Sequence, residues 1–578
     1  MLGMDTSASP LGHAPLDQRK AAGAHYTPAP LARFVATQIA AAIEGVPIDN
    51  PVLALDPACG DGQLLSALIE ILRARGFRRI SLVGFDTDKA AISVSRQNLS
   101  LAHPETSLDL RSEDFLDFAV SNAPGDMFSS PHSSRFDLVI ANPPYVRTQV
   151  LGSTNAKAIS KRFGLTGRVD LYFPFLLAIA QVLRPGGIAG VISSNRFMTT
   201  RAGQSLRRQL LEQFDILHIW DLGDTRIFEA AVLPAVLLLR RKGHPPLAHP
   251  SLFTSIYSAS PSVTAKEFPD PVAALAAHGT IRVGGSAFFN VRHGRLAYDD
   301  GPSSAWRIAD DASERWLGRV QTRTFATFRA LGKVRVGVKT TADKVFVSNR
   351  WDEMPPEERP ELLRPLVTHH VARRYKPIEL AKPYSILYPH QTSQGSRTPV
   401  DLSLYPRSAR YLEKHRRMLE ARDYLIQSGR KWFEIWVPQD PSAWHQPKIV
   451  FRDISPEPTF WLDLSGSVVN GDCYWLRPSQ EDSAIIWLAL AVANSSFITE
   501  FYDHRFHNLL YAQRRRFMTQ YVEAFPLPDP SAPISRRIIS LTQELFEATP
   551  SPGTEPLEVQ IDGLVNNVFG LGPEEVVG

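Results

Sequence analysis

Residues 52–62 read Val52-Leu53-Ala54-Leu55-Asp56-Pro57-Ala58-Cys59-Gly60-Asp61-Gly62. A short apolar run ends on an acid and is followed by a proline and two glycines. This order predicts a buried strand, a glycine turn and the start of a helix. Glycines let the backbone approach a ligand closely, and a helix N-terminus supplies unpaired N–H groups. The stretch therefore favours a nucleotide-binding α/β sheet, although such a turn is weak evidence by itself.

The alternation of short β-rich runs with helical stretches continues through residues 25–242. This rhythm predicts a doubly wound, Rossmann-like parallel sheet. The predicted strands are Val52–Asp56, Ser81–Asp86, Phe136–Ala141, Gly187–Ser193 and Leu217–Leu222, then a final pair around Thr225–Phe228 and Pro234–Arg240. Helices are predicted at Leu171–Leu183 and Ser205–Phe214.

Acidic residues follow two further predicted strands. Asp86 lies 30 positions after Asp56, the length of one βαβ unit, and its carboxylate can accept both hydroxyls of a ribose. Asp114 can accept from an adenine amino group, and Phe115 can pack on the ring. Each acid alone fits an ordinary strand-end cap equally well. Since the sequence has no Gly-x-x-x-x-Gly-Lys-Ser/Thr pattern, it favours a nucleoside over a triphosphate.

The predicted strand Phe136–Ala141 runs into Asn142-Pro143-Pro144-Tyr145. Two prolines cannot continue a ladder, so an amide, a rigid carbonyl and an aromatic ring meet at the carboxyl edge of the sheet. The oxygens of Asn142 and Pro143 can accept both hydrogens of an exocyclic amine on a flat ring, on which Tyr145 can stack. The alternative is a strand followed by a proline turn without a ligand.

Upstream, His25-Tyr26-Thr27-Pro28 precedes a predicted helix. Thr27 is a suitable N-cap and Pro28 suits the first helical position. In this order, the motifs resemble those of S-adenosylmethionine-dependent adenine-N6 DNA methyltransferases of the gamma class. The TaqI-like enzymes of restriction-modification systems are the nearest. Asp61 departs from the pattern, since a Ser or Thr is more usual there.

The resemblance implies a class I methyltransferase domain followed by an α+β target-recognition domain. It implies methyl transfer from S-adenosylmethionine to N6 of a flipped adenine in double-stranded DNA. The enzyme would serve a restriction-modification system, with a separately encoded endonuclease, or act as an orphan. No metal is expected. The implied catalytic residues are Asn142, Pro143, Tyr145 and Phe228, the last stacking on the far face of the base. The implied cofactor-binding residues are Tyr26, Thr27, Asp56, Ala58, Gly60, Gly62, Asp86, Asp114, Phe115 and again Asn142.

Composition shifts divide the 578 residues into five segments. We predict a mobile tail over 1–20, the methyltransferase domain over 21–245 and a linker or connecting segment over 246–325. An alternating run, Val334–Lys339, begins a part rich in Trp, Tyr, Arg and Pro. That part is predicted as the target-recognition domain over 326–530, with C-terminal helices over 531–578.

The net charge of +4 is small, but its distribution is uneven. Residues 361–430 hold 13 Lys/Arg against 6 Asp/Glu, and this local excess favours phosphate binding. A solvated helical surface is the alternative for any one of these charges. The predicted DNA-binding residues are Arg373, Arg374, Lys376, Arg416, Arg514 and Arg515.

Two cysteines cannot build a disulfide framework or a four-cysteine zinc site. No apolar signal segment or membrane-length run is visible, so a cytoplasmic protein is expected, associated with the nucleoid of a prokaryote while bound to DNA.

Three other functions share parts of this pattern. Methyltransferases of protein glutamine amides also use an Asn-Pro-Pro-Tyr loop, because an amide nitrogen is equally unreactive, and RNA bases are a further substrate class. A non-catalytic DNA-binding subunit is the third reading. We find no paired-carboxylate-plus-lysine pattern typical of a nuclease.

Overall fold

The computed structural model divides the chain into two compact units, residues 1–310 and 311–578. The structure describes residues 27–43, 47–121, 136–145, 153–166, 169–228, 233–243, 249–298, 301, 304–478, 484–506, 509–510, 514–548 and 555–571. The predicted tail over 1–20 and the residues His25 and Tyr26 lie outside this part of the chain.

The described part of the first unit contains one sheet of twelve strands. These are β1 Val52–Asp56, β2 Ile80–Phe85, β3 Ser107–Arg111, β4 Phe136–Ala141, β5 Leu183–Ser194, β6 Phe214–Asp221, β7 Pro234–Arg241, β8 Leu252–Ser258, β9 Lys266–Phe268, β10 Gly279–Val283, β11 Ala287–Ala297 and β12 Arg307–Ala309. The order is β3-β2-β1-β4-β5-β7-β6-β8-β11-β10-β9, with β12 paired to β11.

Strands β3, β2, β1, β4 and β5 are parallel, and β7 runs antiparallel between β5 and β6. The chain winds outward in both directions from β1 and β4, which makes their carboxyl ends the switch point where α/β sheets bind ligands. Asp56 pairs with Gly84, and Ala141 pairs with Val191. The predicted doubly wound α/β fold is confirmed.

Helices cover both faces of the parallel strands. They are α1 Ala29–Ala41, α2 Gln63–Ala74, α3 Lys89–Ala102, α4 Phe115–Ser121, α5 Ser153–Arg162, α6 Tyr172–Val182, α7 Arg196–Thr199 and α8 Gln204–Gln213, with a 3₁₀ turn at Arg201–Gly203. Helix α1 buries Leu31, Val35 and Ile39 at one-turn spacing. Helix α6 is apolar nearly throughout and lies almost wholly in the core.

Two sequence predictions differ from this unit. Thr225–Phe228 is a loop and not a strand, because Gly223 and Arg226 take positive φ angles of 51° and 55° and turn the chain. Residues 246–325, predicted as a linker or connecting segment, contain strands β8 to β12, which extend the sheet. The polar residues of β11 (Arg292, His293 and Arg295) obscured its strand pattern.

The second unit is an α+β assembly of small sheets, as predicted. Its described strands are β13 Ala326–Thr327, β14 Val334–Val336, β15 Val347–Ser348, β16 Leu363–Val367, β17 Ser385–Leu387, β18 His390–Ser393, β19 Ser396–Pro399, β20 Lys448–Arg452, β21 Ile454–Ser455, β22 Phe460–Asp463, β23 Val468–Val469, β24 Cys473–Leu476, β25 Leu509–Leu510, β26 Arg514–Arg516 and β27 Pro526–Leu527. They pair as β13-β27, β14-β24-β20-β22, β15-β17-β16-β23, β18-β19 and β21-β26-β25.

Its helices are mostly short. They are α9 Asp311–Thr322, α10 Phe328–Leu331, α11 Asp343–Phe346, α12 Pro406–Lys414, α13 Arg416–Glu420, α14 Asp423–Gln427, α15 Ile485–Asn494, α16 Ser496–Arg505, α17 Thr519–Val522, α18 Pro533–Glu547 and α19 Glu555–Val568, with 3₁₀ turns at Trp351–Glu353, His369–Val371, Leu402–Leu404 and Pro441–His445. Among the described residues, no single helix is long and apolar enough to cross a membrane. Only α15 and α16 reach that length together, with a 70° bend between them.

Candidate functional site

Asn142 lies one residue beyond the end of β4, at the carboxyl edge of the sheet. Its Nδ2 donates to Thr27 Oγ1 at 3.0 Å, which joins residues 115 positions apart. Helix α1 begins at Ala29 with Pro28 at its N-cap position and no side-chain cap. The prediction that Thr27 is the N-cap is therefore wrong, and its hydroxyl instead holds the Asn142 amide.

The Tyr145 hydroxyl donates to Asn142 Oδ1 at 2.6 Å. Burial raises the pKa of Tyr145 above its ordinary value, so the hydroxyl remains a proton donor at neutral pH. The Tyr145 ring meets the ring of Tyr172 edge-on, with centroids 6.0 Å apart. The Asn142 side-chain oxygen thus already accepts a hydrogen bond from a group attached to an aromatic ring, the Tyr145 hydroxyl. An incoming amine would bind to this oxygen beside the hydroxyl or in its place.

The glycine turn after β1 is connected to the end of β2. Gly60 N donates to Asp86 Oδ2 at 3.0 Å, and Ala58 N donates to Asp56 Oδ1 at the same distance. Gly60 has a φ of +50°, and a Cβ on it would meet no atom within 4 Å, so the space above it is open. At Gly62 a Cβ would lie 2.6 Å from Ser95 Oγ, so that glycine permits close packing on α3.

Asp56 is fully buried, and its Oδ2 has no hydrogen-bond partner in the described structure. Burial raises the pKa of Asp56 to about 8, opposed by the bond from Ala58 and assisted by the charges of Asp86 and Asp61. Buried polar atoms are rarely left unpaired. An orphaned carboxylate oxygen beside an open glycine turn fits a cationic ligand group.

The other two predicted acids both bind backbone N–H groups. Asp86 Oδ1 accepts from Asp88 N at 2.9 Å while its Oδ2 holds Gly60, and each oxygen keeps a lone pair for a hydroxyl. Asp114 Oδ1 accepts from Leu116 N at 2.8 Å, so this acid also caps α4. Phe115 is 2% exposed, and its ring lies 5.7 Å from Phe85 in the core.

Phe228, the predicted far-face stacking residue, is the last described residue of the segment that follows β6. Its ring is 6% exposed and belongs to the core cluster that includes Leu222 and Ile256. The stacking role of Phe228 thus stays a prediction, and it requires the ring to become accessible when a base enters.

A buried polar network holds the start of this loop, and the sequence did not reveal it. Asn195 Nδ2 donates to Asp221 Oδ1 at 2.9 Å and lies 3.2 Å from the hydroxyl of Tyr257, a residue of β8. The Tyr257 hydroxyl donates to Asp221 Oδ2 at 2.7 Å. Burial raises the pKa of Asp221 to about 6, and the bonds from Tyr257 and Asn195 oppose this rise. The loop is thereby tied to a strand outside the predicted domain.

Gly223 reinforces the same attachment. A Cβ at Gly223 would lie 2.3 Å from the Ile256 carbonyl oxygen and 2.8 Å from the Tyr257 ring. Asp224 Oδ1 accepts from Ser258 N at 2.8 Å. The first residues of the loop are therefore fixed against β8 through backbone as well as side-chain contacts.

Three of the six predicted DNA-binding residues are paired with carboxylates of the second unit. Arg515 binds both oxygens of Asp503 at 2.7 and 2.6 Å, and Arg416 pairs with Glu413 and Glu420. Arg374 lies 3.6 Å from Glu558 and donates to the Asn494 carbonyl. Contacts of these three with DNA would need the existing pairs to open or to be shared.

The remaining three, Arg373, Lys376 and Arg514, differ in their contacts. Arg373 Nε donates to the Lys376 carbonyl at 3.0 Å, and Lys376 Nζ lies 5.5 Å from the Phe546 ring centre. Arg514 is exposed.

Two family models match the chain. Residues 80–228 match the Eco57I restriction-modification methylase, and residues 374–527 match the TaqI-like C-terminal specificity domain. The first match covers β2 to Phe228, and the second lies within the α+β unit.

Curated relatives match over nearly the whole length. The chain is 37% identical to the Type II methyltransferase M.BanIII of Aneurinibacillus aneurinilyticus, over 96% of this chain and 98% of that protein. It is 24% identical to M.BstVI of Geobacillus stearothermophilus, over 90% and 91%. The solved DrdV–DNA complex matches 93% of this chain and 59% of its own, at 12% identity and a TM-score of 0.52, which supports the fold alone.

Proposed function

We infer that this protein modifies N6 of an adenine in DNA. The chain belongs to the Type II methyltransferases of restriction-modification systems and is therefore a site-specific DNA methyltransferase. The methyl donor would be S-adenosylmethionine, and the base would be flipped out of the duplex. The observation that carries the proposal is the Asn142 amide, held at the carboxyl end of β4 by Thr27 and Tyr145.

The residues around the glycine turn fit S-adenosylmethionine. The unpartnered Asp56 oxygen suits its ammonium group, and the Asp86 carboxylate suits the two ribose hydroxyls. Asp114 and Phe115 would bind the adenine ring of the cofactor, Asp114 by accepting from its amino group and Phe115 by packing on its face. When bound, the cofactor supplies an electrophilic methyl group on a sulfonium.

The chemical task of Asn142 follows from the weak nucleophilicity of an aromatic amine. The lone pair of N6 is delocalised into the adenine ring, so N6 must become tetrahedral before it can attack. Asn142 Oδ1 and the Pro143 carbonyl would each accept one N6 hydrogen, which frees the lone pair and stabilises the positive charge that develops. The methylated amine is acidic and can lose its proton afterwards, so no strong base is required.

An adenine inside the duplex cannot present N6 to these acceptors. Flipping it out costs a few kcal/mol in lost pairing and stacking. Tyr145 on one face and Phe228 on the other would offset this cost, since stacking on an aromatic side chain contributes about 1–3 kcal/mol per base.

Cofactor affinity should depend on pH through Asp56. The free carboxyl, with a pKa of about 8, is mostly protonated at pH 7, whereas pairing with an ammonium requires the carboxylate. We expect the association constant to rise with pH by up to about tenfold per unit between roughly pH 6 and 8 and to fall above that, where the ligand's own ammonium group loses its proton. Titration calorimetry with S-adenosylmethionine across this range measures the effect.

Asp56→Asn should remove this pH dependence and weaken binding. It should also stabilise the protein without cofactor. The pKa of Asp56 is higher in the folded state than the unfolded value of 3.8, so ionisation of Asp56 lowers the free energy of unfolding as pH rises from about 4 to 8. Asparagine does not ionise and avoids this loss. Asp88→Asn is the matched control, because Asp88 caps α3 at the same sheet edge and asparagine caps equally well. An unchanged pH profile in Asp56→Asn would exclude the ammonium contact.

The hydrogen-bond network of Asn195, Asp221 and Tyr257 should affect kcat/KM for DNA and not the affinity for the cofactor. Tyr257→Phe removes the hydroxyl that donates to Asp221 and accepts from Asn195, so we expect kcat/KM for DNA to fall about tenfold, as for a lost hydrogen bond to a charged group. Steady-state kinetics with duplex DNA and separate cofactor titrations measure the two effects.

Thr254→Val provides the control for this prediction. Thr254 lies on the same strand, is 1% exposed, and its hydroxyl lies 2.9 Å from His218 Nε2 and 3.1 Å from His293 Nδ1. This variant also loses a buried hydroxyl but should keep its kcat/KM for DNA. Equal losses in both variants would indicate a general stability effect and not positioning of the loop.

Methyl transfer to DNA tests the proposed function itself. Purified protein with methyl-labelled cofactor and plasmid DNA should place label at one short sequence, mapped by sequencing of modified bases. Label in an RNA or polypeptide mixed into the same reaction, with none in DNA, would contradict the proposal. DNA binding without incorporation would indicate a non-catalytic subunit.

A further inference from the structure

The second unit carries a two-stranded hairpin formed by β18 and β19. Ser393 pairs with Ser396 across a two-residue turn, and Gln391 pairs with Thr398. The turn residues Gln394 and Gly395 have φ angles of +49° and +71°, as in the type I′ turns that match the twist of a hairpin. The hairpin pairs with no other strand in the described structure.

The outer part of the hairpin has a composition that folding does not explain. Residues 391–397 are all exposed, on both faces of the ribbon. They comprise glutamines, serines, a threonine, a glycine and one arginine, with no apolar side chain to bury. An isolated two-stranded hairpin is marginally stable at best and normally needs an apolar face. This one is held from its base and through Arg397, whose Nη1 donates to the Gln439 carbonyl at 3.4 Å.

The base of the hairpin is firmly anchored in the unit. His390 is 2% exposed, and its Nε2 accepts from Ile435 N at 3.0 Å. The Tyr388 hydroxyl donates to the Pro438 carbonyl at 2.5 Å and accepts from Trp444 Nε1 at 3.2 Å. A rigid buried base therefore presents a polar tip to solvent.

The tip has the chemistry of a reader of base edges. Glutamine amides and serine or threonine hydroxyls offer both donors and acceptors, and arginine pairs with guanine. The major groove admits a two-stranded β-ribbon. Residues 380–400 contain Lys382 and Arg397 and no acid, so phosphates would not repel the hairpin.

We propose that the His390–Pro399 hairpin enters the major groove of the target duplex and reads part of the recognition sequence. The proposal rests on the proposed DNA methylation and assigns the base contacts to Gln391, Thr392, Ser393, Ser396 and Arg397. It places sequence reading in four uncharged side chains and Arg397, none of which is paired with a carboxylate among the described residues, whereas Arg374, Arg416 and Arg515 are engaged by carboxylates.

The test is methylation of a duplex library with randomised sequence, read out by sequencing of modified bases. Gln391→Ala and Arg397→Ala each remove one side chain proposed to read a base. A third variant shortens the hairpin by replacing residues 392–397 with Asn-Gly. The two-residue turn is kept, and it then joins Gln391 directly to its pairing partner Thr398. Gln321→Ala is the control, an exposed glutamine of α9 outside the residues matched to the specificity domain. Thermal unfolding followed by circular dichroism checks that each variant is folded, and cofactor titrations check the site in the first unit.

The wild-type protein should methylate one sequence, and the hairpin variants should tolerate other bases at specific positions of it. Discrimination at those positions should fall about 5- to 100-fold per lost contact, while cofactor affinity and the control variant stay unchanged. Hairpin variants that keep the wild-type sequence preference and kcat/KM would overturn the proposal, as would an affinity loss equal for all sequences. In both cases wild-type methylation would leave the proposed function intact, whereas a wild-type protein that leaves DNA unmodified would refute that function.

Discussion

Asn142→Ala should lower the rate of methyl transfer at saturating DNA and cofactor by about a thousandfold or more. The variant loses the oxygen that would accept an N6 hydrogen as positive charge develops on that nitrogen. The loss acts on the transition state and falls mainly on kcat. Single-turnover rates with labelled cofactor measure it.

Cofactor affinity in Asn142→Ala should stay within about threefold of wild type, because Asn142 is only one of the implied cofactor-binding residues and those after β1, β2 and β3 are unchanged. Asn142→Asp is the conservative comparison, since it keeps a side-chain oxygen in the same place and should retain more activity than alanine. If calorimetry showed that Asn142→Ala loses cofactor affinity in proportion to its rate, Asn142 would be a cofactor ligand and not the activator of the amine.

The second large effect is expected in the response of DNA affinity to salt. A protein that neutralises about six phosphates loses about a thousandfold in affinity between roughly 50 and 200 mM salt, because condensed counterions are released on binding. The excess of 13 Lys/Arg over 6 Asp/Glu in residues 361–430 is the source of this expectation. Fluorescence anisotropy with a labelled duplex at several salt concentrations measures the slope.

Cofactor titrations over the same salt range provide the control, and they should be nearly flat because buried groups are screened weakly. The arginines already paired with Asp503, Glu413 and Glu420 should contribute little to the slope. A DNA affinity that does not change with salt would rule out binding through phosphates.

The sequence predicted the part of the fold in which local pattern and burial coincide. The observed strands Val52–Asp56 and Phe136–Ala141 have the predicted bounds, because apolar runs there end at an acid or at prolines that no ladder can continue. The motifs at these two strand ends lie at the same edge of the sheet, because β1 and β4 are neighbouring parallel strands.

What the sequence left hidden depends on contacts between distant residues. Asn195 and Tyr257 are 62 positions apart, and each reads locally as an unremarkable polar residue. Strand β10 pairs with β9 and β11, and β11 also pairs with β8. These strands are stabilised by pairing with neighbours, so their sequences need no clear apolar alternation. The hairpin of β18 and β19 lacked the Asn-Gly or Asp-Gly signal, since its turn is Gln394-Gly395.

Mass spectrometry of nucleosides from DNA treated with the purified protein identifies the methylated base. With saturating S-adenosylmethionine, N6-methyldeoxyadenosine should be the modified nucleoside, and it should be absent from DNA treated with Asn142→Ala. Methylcytosine in its place, or a methylated transcript or polypeptide beside unmodified DNA, would show that the protein is not an adenine-N6 DNA methyltransferase.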